Sequence, residues 1–178
     1  MALWAVLTFH RTLGADSRDT TPLPMVLEGC AAAVIAATTY SPFGEAERAT
    51  GRGLPILRLC SALVLCGLAI GSLAAAAAIA NAPGAQLSGG ILPVVRNVLG
   101  MTGIGLVVVL VTGGLLGWAG PLAYVAVCEF ALIANYSTPL AWPARPPADR
   151  GGWIAAMVVF AAGLVAYTVR GARSRVSE

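Results

Sequence analysis

The chain has 178 residues, of which 58% are hydrophobic and 11% charged, and its mean hydropathy is +0.82. Soluble domains carry about 25% charged residues, so the composition excludes that class and points to an integral membrane protein. The net charge of +3 comes wholly from Arg, because the sequence has no Lys, and no basic patch with interleaved aromatics suggests nucleic acid as a partner.

Six apolar segments can be read in chain order, and all are predicted to be helical. Membrane-spanning strands would alternate apolar and polar residues, and these runs do not. The first is a stub at 1–9, in "MALWAVLTFHR". It lacks the basic start of a secretory signal and reads as the back half of a membrane helix. The second runs over 23–40, the third over 54–80, the fourth over 91–117, the fifth over 119–134 and the sixth over 153–170. The third and fourth reach the roughly 20 apolar residues that a bilayer of ~30 Å requires. Pro and Gly mark the joints. The expectation is an all-α helical bundle of five to six transmembrane helices, forming a single transmembrane domain over 1–178.

Between the second and third segments lies "SPFGEAERATGRG" at 41–53, a concentration of charge in an apolar chain. Ser41 is suited to capping a helix and Pro42 to its first position. Glu45 then stands near the positive end of a short surface helix. Two readings stay open for this loop: a solvated connector, or a docking element for a partner.

Arginine placement sets the topology, since cytoplasmic loops carry the excess of basic residues. Arg48, Arg52 and Arg58 flank the 41–53 loop, and Arg170, Arg173 and Arg175 cluster at the C-terminus. Arg11, Arg18, Arg145 and Arg150 fall on the opposite side. The expected arrangement is a multi-pass protein of the cell membrane with a cytoplasmic tail at 171–178.

Three ionisable residues sit inside apolar segments: Glu28, Arg96 and Glu129. Each is about five residues from the outer end of its segment, which puts all three roughly 7 to 8 Å deep in one layer. Charge within the membrane is expensive and marks functional sites by default. The tight "GWAGP" turn suggests that Arg96 pairs with Glu129 across neighbouring helices. Such a pair either locks two helices together or serves as counter-ion in a translocation path lined by Glu28 and Glu129. Glycine pairs in "GLAIG" (Gly67, Gly71) and "GGLLG" (Gly113, Gly117) are expected to let helices approach closely. The four Cys residues lie in apolar runs and read as packing residues.

No catalytic motif, phosphate-cradling loop or metal-ligand spacing is visible. The sequence therefore predicts no enzyme activity, no cofactor and no metal.

The stretches "SPFGEAERATGRGLPILRL" (41–59), "RNVLGMTGIGL" (96–106) and "GPLAYVAVCEFAL" (120–132) give the chain its organisation. That organisation resembles the six-helix permease subunits of ABC-type exporters, and more closely the small permease-like membrane proteins of actinobacteria. The resemblance spans residues 20–135. It implies a membrane-spanning subunit that works as a homo- or heterodimer with a separate ATP-binding subunit. It also implies that Glu45, Glu47 and Arg48 form the loop that docks on the ATPase. The alternative is a non-transport scaffold or accessory protein whose partner the sequence does not name.

Overall fold

A computed structural model of the chain describes residues 22–39, 53–80, 91–133, 142–146 and 148–170. Five helices are formed: α1 (Pro22–Thr38), α2 (Leu54–Ala80), α3 (Ile91–Thr112), α4 (Ala119–Ile133) and α5 (Arg150–Arg170). Short 3₁₀ turns occupy Gly114–Leu116 and Trp142–Ala144, and no strand occurs among the described residues. The architecture is an all-α helical bundle. α2, α3 and α5 are long and apolar enough to cross a membrane, and α1 and α4 are shorter apolar helices. The stub at 1–9, nearly all of the 41–53 loop and the tail at 171–178 lie outside the described residues.

Local sequence explains where the helices start. Pro22 and Pro24 lie in the first turn of α1, Pro55 in that of α2, Pro93 in that of α3 and Pro121 in that of α4. Backbone N–H groups in a first turn have no partner within the helix, so proline loses nothing there and presets φ. α5 starts differently. A carboxylate oxygen of Asp149 accepts a hydrogen bond from the Gly152 backbone N–H, which caps the helix. The cap explains why α5 begins at Arg150, three residues before the start read from apolarity at 153.

One predicted segment is broken. The run 91–117 reads as continuous, yet α3 ends at Thr112 and Gly113 follows with φ 85° and ψ 162°. That conformation is open almost only to glycine. "GGLLG" is therefore a bend between α3 and α4 and not a helix face. Gly117 still serves packing, since a Cβ there would strike Val109 and lie 3.3 Å from the Ala36 carbonyl oxygen. The other expected face fails outright: a Cβ at Gly67 or Gly71 would meet no atom within 4 Å.

α3 is the central helix. Its apolar span is 61% buried, against 11% for α2 and 22% for α5. α2 instead turns Ile56, Leu57, Val64 and Leu68 outward, a surface that lipid covers in a membrane. The tightest packing joins α3 to α5. A Cβ at Gly103 would lie 2.6 Å from Phe160 Cα, and one at Gly163 would lie 2.5 Å from the Gly103 carbonyl oxygen. The two backbones touch, as small residues allow between membrane helices. On another flank of α3, a Cβ at Gly105 would lie 2.7 Å from Ala36 Cβ on α1 and 3.1 Å from Pro121 Cγ on α4.

Candidate functional site

At the end of the bundle where α1, α3 and α5 begin, a chain of polar groups runs through the core. Arg96, in the second turn of α3, is fully buried, and Glu28, in the second turn of α1, is 3% exposed. They do not meet directly. Arg96 Nε donates to Asn97 Oδ1 at 3.2 Å, and Asn97 Nδ2 donates to Glu28 Oε2 at 2.8 Å. The amide is thereby oriented: its oxygen faces the cation and its nitrogen faces the anion.

The rest of the guanidinium turns to the segment before α5. Arg96 Nη1 donates to the Pro146 carbonyl at 3.0 Å, and Nη2 donates to the Arg145 carbonyl at 3.1 Å. Each of its three nitrogens thus donates a hydrogen bond, which offsets part of the cost of burying the charge. Asp149 adds a second negative charge acting on Arg96. Asp149 also lies 2.9 Å from Arg145 Nε, a close ion contact that lacks the alignment of a hydrogen bond.

Trp142 seals this end of the bundle. It is 1% exposed, the largest of the fully buried side chains. Its ring stacks at a tilt on Tyr124 of α4, with centroids 4.7 Å apart. On its other side it fits against Gly100 of α3, where a Cβ would come within 2.8 Å of the indole. Its indole N–H donates no hydrogen bond among the described residues.

These contacts correct the expected Arg96–Glu129 pair. Arg96 finds its counter-charge on α1 through Asn97, while Oε1 of Glu129 has no hydrogen-bond partner among the described residues. The reason is steric: the Trp142 indole is wedged between α3 and α4 at this level. The structure thus joins Glu28 to Arg96 and leaves Glu129 aside. Glu45, Glu47 and Arg48 lie outside the described residues. Of the cysteines, Cys66 and Cys128 are buried in packing clusters, whereas Cys30 and Cys60 are exposed.

Sequence reasoning missed Asn97, Trp142, Asp149 and the two carbonyls. A polar residue next to an intramembrane Arg was a usable signal for Asn97. A capping Asp just before "RGGW" was one for Asp149. The carbonyls leave no trace in the sequence.

No protein-family model matches the chain, and neither a curated protein nor a solved structure matches it.

Proposed function

We propose that the chain is the membrane-spanning permease subunit of an ABC-type transporter, working with a separate ATPase subunit. The observation that carries this reading is the Glu28–Asn97–Arg96 seam, buried inside a bundle of apolar helices. Ionisable groups placed there are costly, face the bundle interior and mark substrate or ion pathways in membrane proteins. In this reading the 41–53 loop is cytoplasmic and docks on the ATPase through Glu45, Glu47 and Arg48. The C-terminus shares that side of the cell membrane.

The test is affinity purification of the tagged chain in mild detergent. A stoichiometric ATPase that is lost from the Glu45→Ala, Glu47→Ala, Arg48→Ala triple variant supports the reading. A chain that purifies without one overturns it.

A second reading, a non-transport membrane scaffold, draws support from the saturation of Arg96: each of its nitrogens is already engaged. A scaffold would keep its partner when Glu28 and Arg96 are both made neutral. A permease with that double change would keep the ATPase and lose transport.

A further inference from the structure

We infer that the segment from Trp142 to Asp149 is a strap that opens and closes over the polar seam, with Arg96 as its latch. Strap movement is a property of this chain alone and does not depend on a partner ATPase.

The strap is held by few contacts, all on the page. Trp142 is its only deeply buried side chain; Pro143 and Arg145 are partly buried, and Pro146 and Ala148 are exposed. Arg96 grips two successive main-chain carbonyls, those of Arg145 and Pro146. Asp149 ties the far end to α5 through the Gly152 N–H and the Arg145 ion pair. A segment with one apolar anchor and a few hydrogen bonds belongs to the low-stability end of a fold, where local opening occurs.

The closed position also carries a defect. The Trp142 indole N–H is buried without an acceptor, whereas buried tryptophans usually find one. Tryptophan is favoured at the membrane–water interface, where the ring stays in apolar surroundings and the N–H is wet. Withdrawal of the strap moves Trp142 toward such a setting and satisfies its donor. The same movement takes both carbonyls from Arg96 and uncovers Asn97 and Glu28 behind it. Closure is favoured by the stack on Tyr124 and the fit against Gly100. The strap therefore has two competing positions.

Native cysteines supply the reporters. Cys128 is buried beside Met25, Met101 and Val125, with Tyr124 packed on that cluster. Cys66 is buried in a separate cluster with Ile35, Val94 and Val98. Two versions of the full chain would be prepared, one keeping only Cys128 and one only Cys66, the other cysteines being changed to Ala. Each is reacted in detergent with a methanethiosulfonate carrying a trimethylammonium group, and modification is followed by mass spectrometry.

Trp142→Ala is expected to speed reaction at Cys128 by about tenfold while leaving Cys66 unchanged, the pattern of a local opening. Arg145→Ala loosens one tie without removing the anchor and should show the same selectivity at smaller size. It decides the matter if Trp142→Ala does not fold. Equal acceleration at both cysteines would mean general loosening and overturn the strap. So would unchanged rates at Cys128.

Discussion

The Glu28 carboxylate and the Arg96 guanidinium are joined through the Asn97 amide, which donates to one and accepts from the other. Opposite charges buried in apolar surroundings usually pair directly. Here an amide from the same helix as the cation separates them and fixes their relative position. The three groups form one unit, so removing any member leaves the others short of a partner.

Glu28→Leu should destabilise the protein by about 3 kcal/mol, because it leaves a buried cation without its nearest counter-charge. Glu28→Leu combined with Arg96→Leu should cost clearly less than the two single changes added together. Glu129→Leu should be close to neutral, since Oε1 of that carboxyl makes no hydrogen bond among the described residues. Unfolding in detergent, followed by tryptophan fluorescence, measures all three. Equal losses for Glu28→Leu and Glu129→Leu would count against a distinct role for the seam.

Gly103→Ala should cost about 1 to 3 kcal/mol, since overpacking at a backbone contact forces helices apart. Gly163→Ala meets the same contact from α5. Gly67→Ala on the open face of α2 should change stability by no more than about 0.5 kcal/mol. Thermal unfolding of the three variants in one detergent makes the comparison.

Asp149→Ala should lose about 0.5 to 2 kcal/mol, the usual worth of a helix cap. Asp149→Asn keeps an oxygen that can accept from Gly152 N–H and gives up only the charge facing Arg145, so its loss should be smaller. The ranking can be read from melting temperatures. If Asn proves as damaging as Ala, the charge matters more than the cap.

Gly113→Ala should cost about 1 to 3 kcal/mol, because φ 85° with ψ 162° is a region that side chains avoid. Gly113→Asn should be no better, since asparagine relieves left-handed helical conformations and this one is extended. Circular dichroism on heating tests both. A harmless Gly113→Ala would mean that the α3–α4 bend forms without that conformation.

Much of the fold is legible in the sequence because each helix is a long apolar run opened by proline or punctuated by glycine. The segment read as 54–80 coincides with α2, and 119–134 with α4 to within a residue. The bend at Gly113 escapes such reading, because "GGLLG" is as apolar as the helices on either side. The seam is half legible. Glu28 and Arg96 stand out as charges in apolar runs, whereas the partners that orient Arg96 include two main-chain carbonyls 49 and 50 residues away. Backbone acceptors carry no residue type, and only the path of the chain brings them to the guanidinium. Glycines misled for a related reason: Gly67 and Gly71 share the spacing of packing residues, but α2 turns them away from every neighbour.

Three glycines on α3 fix more than its distance from the other helices. Gly103 faces α5, while Gly105 faces α1 and α4. At 3.6 residues per turn these two positions lie about 160° apart around the helix axis. Gly100, where Trp142 and Ala156 close in, points in a third direction. A turn of α3 about its own axis would swing a side chain into at least one of these backbone-to-backbone or ring-to-backbone contacts. The helix is keyed to a single angular setting, and with it Arg96 and Asn97 are aimed at the strap and at α1.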